Sequence, residues 1–379
     1  MNERIDRIIN TLKESETICG EKNAVVGFDG FIDAITRVVR RRESASRCHF
    51  FQTITEFSEH VAGAAGKSAD MEIVAADCKL GGNAPIMANA LASLGIPTIC
   101  IGAMGFPEES AAFSGMNKKC QKISICDPGY THAFEFEDGK LMFANLAPLD
   151  KVTWTNVKEH IGAERLADLF GQSDLLGFVN WSIVYGAQTI WEGIYREVLP
   201  LLDPDVLSSK VLFFDLADPS KRSREDILAV LDLIGRYAKF CKIIVGLNEN
   251  EADRIYEALL YAEVNTDVPL EEKGVFIFNH THLHLLLIHP VDGCIAINAD
   301  GVLRQKGKVI RAPKITTGGG DNFNAGFCFG TLLGFDIADS ALLGMAVSGY
   351  YVKNGRSPSA AELGAYLSER KADCSAELA

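Results

Sequence analysis

The stretch KITTGGGDNFNAGF, residues 314–327, places three consecutive glycines directly before an aspartate and a run of small and apolar residues. Phe323 and Phe327 are four residues apart, so their spacing predicts that a helix follows the glycines. The N-terminus of a helix offers unpaired N–H groups and a partial positive charge. Glycines let an anion such as a phosphate lie directly against those N–H groups. The stretch therefore predicts an anion-binding turn at the start of a helix.

Asp321 falls in the first turn of that predicted helix. One interpretation is a helix cap, which needs only a single good hydrogen-bond acceptor. A cap does not explain three glycines in front of it. We therefore interpret Asp321 as a candidate base beside an anion cradle. The glycines of the cradle are Gly318, Gly319 and Gly320.

Short apolar runs alternate with helical segments, such as Ala84–Leu94 and Arg224–Phe240, along most of the chain. This alternation predicts a mainly parallel sheet covered by helices. There is no repeat or obvious linker, so we expect one domain over residues 1–379. The predicted strands are Ala24–Gly27, Thr98–Ile101, Leu175–Val179, Val211–Asp215, Ile243–Leu247, Val275–Phe278 and Leu285–Ile288.

One segment interrupts the alternation. His132–Asn145 is typical of a β-hairpin that turns at Asp138-Gly139, because Asp-Gly is a strong turn signal. Together with the extended stretch near Ile35–Arg41, this hairpin predicts a small β-sheet that projects from the main body.

The composition excludes some functions. The chain has 379 residues with 47% hydrophobic and 23% charged content, as in globular proteins. Its formal net charge of −13 argues against a nucleic-acid binder, whose footprint would be basic. The sequence contains no run of 18 apolar residues, so it predicts no membrane span. The ten cysteines are scattered without a CxxC pair. These features predict a cytoplasmic protein with buried, reduced thiols.

A second glycine motif is KLGGNAPIMANALASLG, residues 79–95. It predicts a helix over Ala84–Leu94 that ends at Gly95. The pair Gly81 and Gly82 is explained either as a simple turn or as a close approach of a ligand to the backbone, with Asn83 offering an amide to hydroxyl groups.

Asn248 and Glu251 follow the predicted strand Ile243–Leu247 and are three residues apart. Asn with Glu three residues later fits a capping box, and it also fits an oxygen-rich site for a Mg²⁺–phosphate complex.

Two other motifs carry less weight. GAAGKS, residues 63–68, ends like a P-loop but lacks the first glycine and a preceding strand, so we predict a surface loop. His280, His282 and His284 alternate, which predicts a polar strand face or, as the alternative, a metal site.

Taken together, these motifs resemble the ribokinase-like (PfkB) family of carbohydrate kinases. GGNAPIMANALASLG near the first quarter, Asn248 to Glu251, and TTGGGDNFNAGF near the end occur in the family's order. The resemblance implies a three-layer α/β/α fold with a mainly parallel central sheet and a small β lid, formed by segments near residues 34–52 and 123–147. It implies ATP-dependent phosphorylation of a hydroxyl group on a sugar or sugar-like molecule.

The resemblance also implies residue roles. Asp321 would be the catalytic base, and Gly318 to Gly320 would form the anion hole. Asn248 and Glu251 would organise Mg²⁺–ATP, with the metal bound mainly through water. The implied substrate-binding residues are Asp33, Asp29, Gly81, Gly82 and Asn83. The implied nucleotide-binding residues are Asn248, Thr317, Asn279, Asn354 and Gly355.

Cofactors and partners follow from the same resemblance. We expect Mg²⁺, ATP as co-substrate and a sugar or polyol acceptor, with a possible homodimer through the lid. A monovalent cation stays open, because Ile315 stands where family members often carry an aspartate. The alternative function is a catalytically weak sugar-binding or regulatory protein on the same fold. A dinucleotide-dependent oxidoreductase ranks last, because no G-x-G-x-x-G follows the first strand.

Overall fold

The computed structural model describes residues 2–260 and 268–376. The strands, in chain order, are β1 (Ala24–Gly27), β2 (Phe31–Ser44), β3 (Arg47–Phe50), β4 (Ile73–Gly81), β5 (Thr98–Ala103), β6 (Cys120–Cys126), β7 (Gly129–Phe136), β8 (Gly139–Asn145), β9 (Leu175–Phe178), β10 (Val211–Asp215), β11 (Lys242–Leu247), β12 (Leu285–Ile288), β13 (Gly293–Asn298) and β14 (Gly301–Lys306). The helices are α1 (Asn2–Gly20), α2 (Ile54–Gly63), α3 (Asn83–Leu94), α4 (Trp154–His160), α5 (Ala163–Gly171), α6 (Ala187–Gly193), α7 (Pro204–Ser208), α8 (Arg224–Tyr237), α9 (Glu249–Leu260), α10 (Leu270–Asn279), α11 (Gly319–Leu332), α12 (Ile337–Asn354) and α13 (Ala360–Ala376).

The large sheet has nine strands in the order β14-β13-β12-β11-β10-β9-β1-β5-β6. The strands from β12 to β6 in this order run parallel, and β13 and β14 add an antiparallel edge. Parallel strands covered on both faces must be apolar on both faces. β1, β9 and β12 are fully buried, as their uninterrupted apolar sequences require.

Two hydrophobic cores lie on opposite faces of this sheet. Val25 belongs to one core and Val26 to the other, because successive side chains of a strand point to opposite faces. α8 contributes Val230 to the first core, and α11 contributes Phe327 to the second. The predicted three-layer α/β/α architecture is therefore confirmed.

The smaller sheet is the predicted β lid. Its long central strand β2 pairs with β4, β7 and β3. β7 and β8 form the predicted hairpin, with Phe136 opposite Gly139. Sequence reasoning did not assign β4 to the lid, although β4 pairs with β2 from Phe31 to Val38. The outer lid leaves Met142 and Phe143 about half exposed, and the homodimer through the lid stays a prediction.

One predicted strand is wrong. Val275–Phe278 lies within α10, where a β-branched and aromatic sequence favours a strand locally. Tertiary packing favours the helix, because Gly274 lets α10 approach the sheet closely. A Cβ added at Gly274 would lie 2.6 Å from Ile297 and 2.8 Å from Ile288 on the sheet. α10 therefore packs against the sheet at Gly274.

The histidines after α10 do not share a strand face. His280 is the C-cap residue of α10, and His282 and His284 lie in the connection to β12. The ring of His284 accepts a hydrogen bond from the N–H of Ile243 at 3.1 Å. In residues 2–260 and 268–376, no three His, Cys, Asp or Glu side chains gather in a way that could hold a metal ion.

Two further expectations can be compared with the structure. Residues 63–68 follow α2 as an exposed connection without a preceding strand, as predicted for a surface loop. Within the described ranges, no helix has both the length and the hydropathy that crossing a bilayer requires.

Candidate active site

The predicted helix after the glycine run is present as α11, which begins at Gly319. Gly318 precedes it in the left-handed region, with φ 87°. A Cβ at Gly318 would lie 2.8 Å from the hydroxyl of Tyr351, so glycine is required there by conformation and by space. We call residues 317–320 the glycine turn.

The packing of the protein does not require glycine at the next two positions. A Cβ at Gly319 would meet its nearest neighbour, Val352, at 3.4 Å, which is an ordinary contact. A Cβ at Gly320 would meet His289 at 3.4 Å, which is also ordinary. Neither residue has a positive φ. An alanine at either position would therefore make only ordinary contacts, so the fold itself does not require these two glycines.

Two cavities lie on the two sides of the glycine turn. The first, which we call the lid-side cavity, has a volume of about 310 Å³. The second, the strand-end cavity, has a volume of about 430 Å³. Residues lining the lid-side cavity include Asp33, Asn89, Met142, Thr317, Tyr351 and Gly355. Residues lining the strand-end cavity include Asn248, His289, Thr316, Gly319, Gly320 and Phe323.

Parallel strands explain why these residues meet. The carboxyl ends of β1, β9, β10, β11 and β12 lie along one edge of the sheet. Polar residues end four of these strands or follow them within two residues. They are Asn180 after β9, Asp215 at the end of β10, Asn248 after β11 and His289 after β12. Ligands of open α/β sheets bind at this edge.

Asp321 lies in a cluster of carboxylates. Its side chain is almost buried, and burial raises its pKa well above the ordinary value, with further increases from the charges of Asp215, Asp29 and Glu251. Burial likewise raises the pKa of Asp215 to about 6 and that of Glu251 to about 8. Few positive charges oppose this cluster, since no cation is among the causes that shift these three pKa values. Burial and mutual repulsion therefore favour the protonated forms of these carboxyl groups.

Asp29 does not face either cavity. Its carboxylate is fully buried and accepts hydrogen bonds from the N–H groups of Asn83 at 2.9 Å and Ala84 at 2.7 Å. It also accepts a bond from the amide of Asn180 at 2.6 Å. Asp29 therefore fixes the N-terminus of α3, and its predicted contact with substrate is not supported by this arrangement. Burial raises its pKa to about 6.

The glycine pair before α3 accommodates two aspartates. A Cβ at Gly81 would lie 2.4 Å from the carboxylate of Asp33. A Cβ at Gly82 would lie 2.8 Å from the carboxylate of Asp29, and Gly82 has φ 94°. The predicted close approach at Gly81-Gly82 therefore exists, but the groups that approach are carboxylates of the chain itself.

Asp33 faces the lid-side cavity from β2. Burial raises its pKa, while the hydroxyl of Thr131 and the charge of Lys140 lower it. A half-buried carboxylate with an open face can accept hydrogen bonds from two hydroxyl groups.

Asn248 and Glu251 form a reciprocal cap at the start of α9. The N–H of Glu251 donates to Asn248 Oδ1 at 2.9 Å, and the N–H of Asn248 donates to Glu251 Oε2 at 2.8 Å. The amide of Asn248 also donates to Glu251 Oε1 at 2.8 Å. The capping box is therefore present. Asn248 lines the strand-end cavity as well, so a cap and a ligand contact are compatible in one residue.

The predicted nucleotide-binding residues divide into three groups. Thr317 and Gly355 line the lid-side cavity together with Asp33, on the other side of the glycine turn from Asn248. The amide of Asn354 donates to the carbonyl of Tyr350 at 2.9 Å, and neither cavity includes its side chain.

Asn279 lies away from the site. It ends α10 before the chain enters β12, and His284 in the same connection contacts Ile243 near the start of β11. Asn279 thus lies near the amino ends of the strands. The glycine turn lies at the opposite end, beside the residues that follow the carboxyl ends. Its prediction depended on a strand over Val275–Phe278, which is helical.

Sequence reasoning missed residues that the strand ends would have revealed. His289 to Gly293 follow the correctly predicted strand β12, and several of them line the strand-end cavity. Asp215 ends another correctly predicted strand, and Asn324 donates to it at 2.7 Å. Arg222, which follows β10, donates to the carbonyls of Trp181, Ser182 and Val184.

Comparisons with known proteins agree with this architecture. A curated ketohexokinase of Haloferax volcanii is 28% identical over 345 residues, covering 90% of both chains. A ribokinase of Arabidopsis thaliana, solved with ribose and ATP, aligns with a TM-score of 0.61 at 12% identity, over 92% of this chain and 98% of that one. A ribokinase-type protein of Escherichia coli, solved with ATP and Mg²⁺, aligns with a TM-score of 0.60 at 12% identity, over 92% and 99%. These two structures show the fold.

The sequence model of the prokaryotic ketohexokinase family matches residues 4–370. The match covers nearly the whole chain, including the lid, the strand ends and the glycine turn. This chain therefore belongs to the prokaryotic ketohexokinase family and is a carbohydrate kinase with the ribokinase fold.

Proposed function

We propose that this kinase transfers the terminal phosphoryl group of ATP to a hydroxyl group of a ketohexose. The observation that carries the proposal is the glycine turn between two cavities. Thr316 lines the strand-end cavity and Thr317 the lid-side cavity, so the turn separates one site from the other. Both volumes fit the range of about 300–1,000 Å³ of small-molecule sites. The ketohexose is favoured by the family and by the name of the curated relative.

The lid-side cavity is the proposed sugar site. Asp33 offers two acceptor oxygens, and Asn89 adds an amide. Ala133 and Met142 of the lid close one wall with apolar surface, which excludes water when the sugar is bound. A neutral polyhydroxy ligand needs such a combination of a carboxylate acceptor and apolar walls.

Asp321 is the proposed base and the glycine turn the proposed anion hole. The sugar oxygen bonds to the terminal phosphorus, the bond from that phosphorus to the bridging oxygen of ADP breaks, and the hydroxyl proton passes to a carboxylate oxygen of Asp321. A raised pKa suits Asp321 for this role, because it holds the proton more readily than an exposed carboxylate. The N–H groups of the turn stabilise the charge on the transferring group.

The strand-end cavity is the proposed nucleotide site, and its surroundings fit a magnesium ion. The carboxyl groups of Asp215 and Glu251 have raised pKa values, and the buried Oδ1 of Asn324 has no hydrogen-bond partner in the described part of the chain. A bound cation would oppose this excess of acceptor atoms. Magnesium would be held by phosphate oxygens and water, with Asn248 and Glu251 as outer partners, since it usually binds few protein carboxylates directly. When bound, it neutralises charge on the phosphates.

The test is a coupled assay of ADP formation. Purified protein is mixed with Mg²⁺–ATP and, in parallel, with ketohexoses, aldohexoses, ribose, polyols and adenosine. We expect turnover to be highest with a ketohexose and to stop when Mg²⁺ is removed by a chelator. A protein that binds sugars but forms no ADP with any of them would favour the alternative, a sugar-binding or regulatory protein.

A further inference from the structure

Tyr351 is a side chain that contacts both the glycine turn and the lid-side cavity. It lies near the end of α12, four residues before Gly355, and its ring lines the cavity beside Asp33 and Thr317. Its position is fixed by the packing of α12 against α11.

The hydroxyl of Tyr351 holds the backbone of the glycine turn. It donates to the carbonyl oxygen of Thr317 at 3.1 Å. The same hydroxyl lies 2.8 Å from the place where a Cβ of Gly318 would be. It therefore occupies the space that the missing side chain of Gly318 leaves on this side of the turn.

Peptide geometry transmits this contact to the anion hole. The carbonyl of Thr317 and the N–H of Gly318 belong to one planar, trans peptide group, so they point in opposite directions. A hydroxyl that fixes the carbonyl on the lid side therefore directs the N–H of Gly318 away from the tyrosine. Without this bond, the peptide before a left-handed glycine is free to rotate, because glycine tolerates many conformations.

The electrostatic surroundings keep the phenol a donor. Burial, together with the charges of Asp321 and Asp33, raises its pKa to about 12. Tyr351 is thus protonated throughout the neutral range and does not exchange a proton with substrate. The two carboxylates whose charges affect it are the proposed base and the proposed sugar ligand.

We infer that Tyr351 is a positioning residue that orients the N–H of Gly318 toward the transferring phosphoryl group. This inference rests on the proposed function of the glycine turn. Tyr351 acts through the backbone of Thr317 rather than by binding the phosphate. Its loss should therefore affect the transition state more than the binding of either substrate.

The test compares Tyr351→Phe with Tyr350→Phe. Both variants lose one hydroxyl, but Tyr350 packs against Tyr366 and lines neither cavity. Thr317 is exposed, so water can replace the lost bond and the variant should fold. We expect Tyr351→Phe to reduce kcat by about tenfold or more, since losing an oxyanion donor outright costs about 10²–10³. The KM for the sugar should stay nearly constant, and the loss should be the same factor for every sugar accepted.

A binding measurement provides a second readout. ADP, Mg²⁺ and fluoroaluminate with bound sugar imitate the transferring group, and Tyr351→Phe should bind this combination more weakly while binding ADP alone normally. Tyr350→Phe should resemble the original protein in both measurements. A Tyr351→Phe variant with unchanged kcat would overturn the inference, whether or not its sugar binding is weaker. Failure of the proposed function would look different, because the original protein itself would then form no ADP with any sugar.

Discussion

The side-chain amide of Asn324 donates to Asp215 at 2.7 Å and ties α11 to the carboxyl end of β10. Asp321 is three residues earlier on the same helix, so the two side chains share one face. The bond therefore sets the orientation of α11 that brings Asp321 to the strand ends. The same arrangement places negative charge near Asp321 and contributes to its raised pKa.

Asp321→Asn is expected to abolish most turnover without harming the fold. The amide has nearly the same volume but does not accept the hydroxyl proton, and general-base catalysis contributes about 10²–10⁴-fold. Removing one charge from a cluster with Asp215, Asp29 and Glu251 should leave the melting temperature unchanged or higher. Steady-state turnover and a thermal melt are the measurements. Retention of more than about a tenth of the original kcat would show that Asp321 is not the base.

The three glycines should differ in their response to alanine. Gly319→Ala and Gly320→Ala are expected to fold normally. Their free energy of unfolding should increase by up to about 1 kcal/mol, because alanine is the better helix former and only ordinary contacts result. Their kcat should fall, because a methyl group fills the space proposed for the phosphate.

Gly318→Ala is the internal comparison for these variants. Its φ of 87° strains any other residue, so unfolding free energy should decrease by about 1–3 kcal/mol. Thermal melts of all three variants beside kcat give the answer. Normal turnover in Gly319→Ala and Gly320→Ala would remove the argument for an anion hole at these positions.

Substitutions of Asp29 and Asp33 should distinguish a structural role from a role in sugar binding. Asp29→Ala leaves three buried N–H donors without their acceptor, and each unsatisfied donor costs about 1–3 kcal/mol. We expect a clearly lower melting temperature. Asp33→Ala should melt nearly normally and lose sugar affinity, by on the order of 1–3 kcal/mol, with nucleotide binding retained. Separate titrations of sugar and ATP analogue check this, and unchanged sugar affinity in Asp33→Ala would contradict the assignment.

The sequence predicted the parts of the site that local patterns determine. The glycine run at the start of α11 and the apolar strands β10 and β12 follow from residue types that fit one conformation. The hydrogen bonds of Asp29 could not be predicted from local patterns, because their donors lie at the start of α3 and in Asn180, which are distant in sequence. Such a contact exists only after the strands have paired.

The error at Val275–Phe278 has a similar cause. Its residues favour a strand, but Gly274 allows α10 to pack closely on Ile288 and Ile297. This choice depends on the neighbouring sheet and not on the segment itself. The strand end that reaches the site is that of β12, and His289, Pro290, Val291 and Gly293 after it line the strand-end cavity.

Glu251→Gln tests whether the cap at α9 also serves magnesium. The substitution nearly preserves the shape, but glutamine keeps only one of the two acceptor oxygens that Asn248 uses, so we expect a small decrease of the melting temperature. If Glu251 orients water on the metal, the Mg²⁺ concentration for half-maximal rate should rise by about 10–100-fold, as for other outer partners of metals. Glu249→Gln, an exposed position in the same helical turn, is the control. A normal Mg²⁺ requirement with a lower melting temperature would assign Glu251 to the cap alone.

The pH dependence of kcat/KM should report the raised pKa of Asp321. Because the base must be deprotonated to accept the hydroxyl proton, kcat/KM should fall as pH decreases below that pKa, about tenfold per pH unit. Burial is the main cause of the shift and Asp215 the largest contribution from a charge. Asp215→Asn removes that charge, so the pKa of Asp321 should decrease and the acidic limb should move to lower pH. Asp232→Asn, an exposed change on α8, should leave the limb in place. A limb that stays fixed in Asp215→Asn, or that moves to higher pH, would mean that another group controls the proton transfer.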